Sequence, residues 1–201
     1  MGANTAGQNA AIAGLAAVVG FISVHNAIPN SSGSKELTGG SYARQAVSWN
    51  SPANGLVDNT AQLTHAIPAG ETAACYGLWS LVTVGTYYGY VPRTGVGEAL
   101  YGFGSVDSAG VTSNTIQSAA NGLSNAMRVI VYSVVGESLP TGLSGSVMYY
   151  VVGAATKTFQ VSLTEGGAAV DITGQGELFW QRIVPEPFAS AGSLVTGAGA
   201  L

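Results

Sequence analysis

The chain has 201 residues, enough to bury a core without staples, and its single Cys75 excludes both an intrachain disulfide and a cysteine-based metal site. Only 8% of residues are Asp, Glu, Lys or Arg, against roughly a quarter in an ordinary soluble domain. Such a surface is built from Ser, Thr, Asn, Gly, Tyr and apolar groups, and neighbours tend to cover it.

The net charge of −4, with six scattered basic residues, provides no electrostatic footprint for nucleic acid or anionic lipid. Neither is expected as a partner. The longest apolar run, Ala10 to Val24, is shorter than the about 20 residues that span a bilayer. No charged residue precedes Lys35, unlike a secretory signal. Within that run Ile12, Leu15, Ala16 and Val19 recur at the spacing of one helical face, which predicts a small-residue helix docked on the body. Gly20 ends it, and Phe21 to His25 reads as a strand.

A loop rich in Gly and Ser follows, then a short strand from Gln45 to Trp49 and a turn over residues 50–55. Residues 62–67 alternate, with Leu63, His65 and Ile67 on one side. Ala73 to Leu81 and Thr86 to Tyr90 form a hairpin through Val84-Gly85. Residues 94–125 carry Gly, Ser and Asn and no strand signal. Strands return at 127–134, at 146–152 and 158–163 as a hairpin, and at 170–173 and 178–183. The tail, 185–201, has no charge after Glu186 and is expected to be pinned rather than solvated. Strands and turns alternating about every ten residues suit a sandwich or barrel.

Several stretches occur together: His25-Asn26-Ala27-Ile28-Pro29, the run from Glu36 to Gln45 (ELTGGSYARQ), Ile67-Pro68-Ala69-Gly70 and Gly77-Leu78-Trp79. Together they resemble a family of actinobacteriophage virion proteins usually labelled tail fibre or minor tail proteins, over residues 10 to about 93. Residues from about 102 to 183, marked by Met148-Tyr149-Tyr150-Val151-Val152 and Gly166-Gly167-Ala168-Ala169-Val170-Asp171, are similar to a separate phage β-module. In shorter relatives a segment like Pro185-Glu186-Pro187-Phe188 closely follows the GLW hairpin. The resemblance therefore implies an insertion, with the last seventeen residues returning to complete the first sheet. Ser80-Leu81-Val82 and a tail without an acidic ending depart from the family pattern.

His25, Glu36, Tyr42 and Arg44 could form an acid–base set. Gly33, Gly39, Gly40 and Pro29 instead suit a shaped loop closed by a Glu36–Arg44 ion pair, and this is the reading adopted. His65, on the apolar side of an alternating strand, reads as a core histidine. The carboxylate pairs Glu165 with Asp171 and Asp107 with Glu98 fall in Gly-rich turns without a visible apolar pocket. No nucleophile elbow, P-loop or dinucleotide fingerprint occurs. Of the aromatic run Tyr87, Tyr88, Tyr90, Tyr101 and Phe103, at least half are expected to be buried in a core or a subunit contact.

The fold expected is mainly β. It is an antiparallel β-sandwich with an N-terminal helix, formed by 1–100 plus 185–201, with a second small, projecting β domain at 101–184 inserted before the last strand. The function expected is that of a non-enzymatic bacteriophage structural protein on the virion surface, without cofactor or metal. A capsid decoration protein on the head lattice is the first reading and a tail fibre or minor tail protein binding the host surface the alternative. Partners are sister copies, with a trimer favoured, the major capsid protein or tail proteins, and a host-surface glycan. The residues expected at structural contacts are Ile12, Leu15, Val19, Glu36, Tyr42, Arg44, Trp79, Tyr88 and Phe188.

Overall fold

The computed structural model describes residues 4–94 and 100–201. In chain order its elements are α1 (Thr5–Val18), β1 (Phe21–His25), β2 (Gln45–Ala46), β3 (Leu63–Ile67), β4 (Glu71–Ala73), β5 (Cys75–Trp79), β6 (Tyr87–Pro92) and β7 (Tyr101–Val106). There follow α2 (Ser108–Ser113), β8 (Ile116–Ser118), β9 (Arg128–Ser133), β10 (Tyr149–Val152), β11 (Thr158–Ser162), β12 (Gly176–Ile183), β13 (Glu186–Phe188) and β14 (Gly192–Thr196). The protein is mainly β, and every strand pairing is antiparallel. It divides into two compact units, one formed by Met1–Arg93 with Pro185–Leu201 and the other by Thr94–Val184.

In the first unit, Asn4 caps α1 by accepting the Gly7 N–H at 2.9 Å. Ile12, Leu15 and Ala16 are half-buried and Val19 is buried, while most of the helix is exposed. Leu15 rests on the core, so α1 sits on its unit along the narrow stripe read from its periodicity. β1 lies in the middle of a four-stranded sheet of order β2-β1-β5-β6. Both faces of β1 and β5 are covered, which is why ISVH and CYGLW read as continuous rather than alternating runs. β3 alternates as its sequence implies, with Leu63, His65 and Ile67 buried. The core joins Ile22, Val24, Leu63, Ile67, Tyr76, Leu78 and Leu194.

Two expectations need correction here. The strand expected over 45–49 pairs only at Gln45 and Ala46; Trp49 instead bridges Asn59 and donates its indole N–H to the Val19 carbonyl at 2.8 Å. The tail does not extend the four-stranded sheet. β13 pairs with β4 and β14 with β3, forming two separate two-stranded pairs. Leu194 and Thr196 are buried, and Thr196 Oγ1 donates to the Tyr76 hydroxyl at 2.7 Å.

The end of the tail is held by Asn59, a fully buried residue that sequence reading passed over. Its amide donates to the Ala61 and Gly197 carbonyls, both at 2.8 Å, and its oxygen accepts from the Ala200 and Leu201 N–H groups. Asn59→Ala should lower unfolding stability by about 2 kcal/mol, because it leaves several backbone groups without their partner. Thermal or urea unfolding of the full chain measures this, and an unchanged midpoint would show that water replaces the amide.

The second unit is a closed barrel of order β10-β11-β8-β7-β12-β9. Its interior holds Val106, Ile116, Val129, Val131, Tyr149, Val151, Phe159, Val161, Leu178 and Trp180. Closure removes the sheet edges that a sandwich would leave. β7, α2 and β8 lie in the stretch read as strand-free. On β7 the inward positions are Gly102 and Gly104, and a Cβ on either would stand within 3 Å of the Trp180 ring or the Ile116 side chain. Glycine is what lets the strand pass so close, and it also erases the strand signal. No strand forms over 170–173. Ile172 is buried as a plug, with Val170 N–H bonded to Val161 O and Thr173 N–H to Thr141 O.

Candidate functional site

The loop between β1 and β2 folds over the indole of Trp79. Gly33 permits the approach, since a Cβ there would lie 2.4 Å from the Trp79 ring, and its φ of +74° is in the left-handed region. Arg44 closes the loop. Its Nε donates to Glu36 Oε1 at 2.9 Å and its Nη2 to Oε2 at 2.7 Å, a two-point carboxylate grip. Its Nη1 donates to the Leu81 and Val84 carbonyls at 3.0 and 2.9 Å, and the guanidinium lies 3.4 Å over the Trp79 ring. Tyr42 donates to Glu36 Oε1 at 3.2 Å and accepts the Val24 N–H at 2.8 Å. Burial raises the phenol's pKa well above its ordinary value, so it stays a donor beside the carboxylate.

Beneath this clamp runs a second chain of hydrogen bonds. His25 Nδ1 donates to the Ser34 carbonyl at 2.8 Å, which leaves Nε2 to accept the Ser23 hydroxyl at 2.7 Å. Trp79 Nε1 donates to Ser23 Oγ at 2.9 Å. A serine beside a histidine resembles a nucleophile and its base. Here both side chains are fully buried, Ser23 Oγ already accepts from Trp79, and the histidine is oriented by a backbone carbonyl. The cluster is built to fix the loop.

His65 is also fully buried, and its Nε2 donates to the Ile22 carbonyl at 3.0 Å. Burial lowers the pKa of both histidines below the ordinary 6.5. Below pH 6.5 the unfolded chain binds protons that the folded chain resists. Their contribution to stability is thus complete above pH 6.5 and is lost as the pH falls from there towards the folded values. Across that window each histidine loses about 1.4 kcal/mol for every pH unit traversed. Unfolding measured from pH 7.5 to 4.5 should show this slope, and His65→Gln should flatten it; a slope unchanged by the substitution would refute the assignment.

Glu36, Tyr42, Arg44 and Trp79 thus meet in one cluster, with His25 beneath. Ile12, Leu15 and Val19 lie on the α1 stripe. Phe188 is half-buried against the same core, where Gly192 leaves room for its ring. Tyr88 is 40% exposed, whereas its neighbour Tyr87 packs on Trp79 at 5.0 Å between ring centres. None of the five aromatics Tyr87, Tyr88, Tyr90, Tyr101 and Phe103 is fully buried within the chain, and three are exposed, which corrects the expectation that the chain's own core covers at least half of them. The cause on β7 is that glycines occupy the inward positions, so the aromatic side chains face out. Glu165 and Asp171 are exposed. Asp107 caps α2, and the Gly110 N–H and the Gln117 amide lower its pKa; its supposed partner Glu98 lies outside the described residues. Burial pushes the Cys75 thiol up to about 12, and it packs as a small hydrophobe. Sequence reading missed Ser23, whose role appears only once β1 and β5 are paired.

Residues 5–97 match the family described as Podophage GP4 fiber I protein gp80, just under half of the chain. The matched segment takes in α1, the clamp and strands β1 to β6. No curated protein and no solved structure gives a significant match. The family match supports a bacteriophage structural protein of fibre type. It fits a tail fibre better than capsid decoration, so the expected order of those two readings is reversed.

Proposed function

We propose that the chain is a non-enzymatic structural subunit of a bacteriophage tail fibre, displayed on the virion surface and engaged in host-surface binding. The observation that carries this is the match of residues 5–97 to a phage fibre family. That segment's polar cluster holds a loop rather than forming an open cleft. A chain with only 8% charged residues suits a subunit covered by sister copies or other tail proteins, and self-association, with a trimer favoured, belongs to this reading. The chain leaves the first unit after Arg93 and re-enters it at Pro185. Arg93 Nη2 donates to Glu186 Oε2 at 2.7 Å where the two crossings meet. Both features support an inserted β-module between two strands of the base.

Immunogold labelling of intact particles tests the location. Gold at the tail is the expected result, and gold spread over the head faces would restore the decoration reading. Sedimentation of the purified chain tests self-association, and a single monomeric species at high concentration would count against it.

A further inference from the structure

The barrel carries an aromatic row that its own core does not use. Because Gly102, Gly104 and Val106 of β7 face inward, Tyr101, Phe103 and Ser105 face outward. β12 continues the row, with Phe179 opposite Phe103, Gln181 opposite Tyr101 and Glu177 opposite Ser105. Tyr101, Phe103 and Phe179 are 75%, 44% and 45% exposed. Phe103 and Phe179 meet edge to face at 5.7 Å, which holds each ring in a fixed orientation at the surface.

Beside Phe103 lies a shallow groove of about 320 Å³ lined by Ser105, Gln117, Ser118, Lys157 and Thr158. Ser118 is already engaged, donating to Phe103 O at 2.9 Å and accepting from Trp180 Nε1 at 3.0 Å. The Gln117 amide donates to Asp107. The hydroxyls of Ser105 and Thr158 and the ammonium of Lys157 have no hydrogen-bond partner among the described residues. Unused donors and acceptors therefore stand next to exposed, oriented rings.

A ligand matching this face must present C–H surfaces to the rings and hydroxyl edges to the groove, which is the chemistry of a sugar ring. Charge narrows the class. Lys157 on one rim is balanced by Glu177 on the other, and Asp107 is satisfied by its own cap and by Gln117. Those neutral donors keep Asp107 ionised, so the face carries a small negative charge that disfavours an acidic polymer.

We propose that this face of the barrel binds an uncharged saccharide chain, with sugar rings on Tyr101, Phe103 and Phe179 and hydroxyls bonded to Ser105, Thr158 and Lys157. The inference deepens the fibre reading and rests on it for the biological source of the sugar, the host surface.

The test is affinity electrophoresis of the purified full chain through gels containing dextran, galactomannan or arabinogalactan, with alginate as the acidic probe. Saturable retardation by a neutral polysaccharide is expected. Phe103→Ala and Phe179→Ala should each weaken it about tenfold, the factor that corresponds to about 1.4 kcal/mol. Leu163→Ala, at a residue 65% exposed outside the row, should leave it unchanged. The substituted side chains are exposed, so unaltered unfolding midpoints separate lost binding from lost structure. Retardation by alginate alone, by none of the polymers, or without sensitivity to Phe103 and Phe179 overturns the proposal. So does a result in which the aromatic variants alter self-association but not retardation, since the row would then be a protein contact. Gold at the tail with no retardation defeats this inference alone, whereas gold on the head defeats the fibre reading.

Discussion

Gly77→Ala should destabilise the protein by about 3 kcal/mol or more, although it adds a single methyl group. Gly77 pairs with Ser23 across β1 and β5, and a Cβ at this position would stand 2.3 Å from both His25 Nε2 and Ser23 Oγ. Neither neighbour has room to retreat, since both are fully buried and bonded to each other. Overpacking of this kind costs about 1–3 kcal/mol. Displacing Ser23 would also break its bonds to His25 and Trp79, each worth about 1 kcal/mol and more if a buried group is orphaned. The glycine's backbone plays no part, because its φ is not positive. Urea unfolding followed by tryptophan fluorescence reads the loss. Gly14→Ala is the matched control: it lies within α1, where an added Cβ meets nothing within 4 Å, and it should be neutral or stabilising by up to about 1 kcal/mol. Equal effects at the two positions would refute the packing account.

The same contrast shows which parts of the fold were legible. The stripe of α1, the apolar run Phe21–His25 and the alternation at Leu63, His65 and Ile67 are local patterns, and a helix or strand covers each of them. The apolar tail was legible as pinned because uncharged residues such as Leu194 need cover, but its partner strands lie far back in the chain and no local pattern specifies them. β7 was hidden for the opposite reason. A strand is usually recognised by apolar residues facing in, whereas here Trp180 fills the inward space and leaves room only for glycine. The outward aromatics then look like a scattered run rather than one side of a strand. The clamp was half legible: Glu36, Tyr42 and Arg44 stand close in sequence, but Trp79 and the carbonyls of Leu81 and Val84 reach them only through the β1–β5 pairing.

Arg44→Ala is expected to cost about 3 kcal/mol, within the range for removing one partner of a buried ion pair. The side chains of Arg44 and Glu36 are 10% and 18% exposed, so the remaining carboxylate would keep only the Tyr42 hydroxyl as a side-chain donor. The loss extends to the 80–86 turn. Val84 holds a φ of +57°, a conformation that a β-branched residue adopts at a cost, and 86% of it is exposed. Packing does not hold it there, whereas the Arg44 bonds to the Leu81 and Val84 carbonyls do. Hydrogen exchange in residues 80–86 should therefore rise in the alanine variant more than in β5 itself. Arg44→Lys should recover only a small part, because an ammonium cannot grip two carboxylate oxygens, reach two carbonyls and stack on an indole together. Glu36→Gln with Arg44→Ala should lose less than the two single losses added, since neither charge is then left alone. Strict additivity would mean that the pair is solvent-screened and that Trp79 stacking, rather than charge, holds the loop in place.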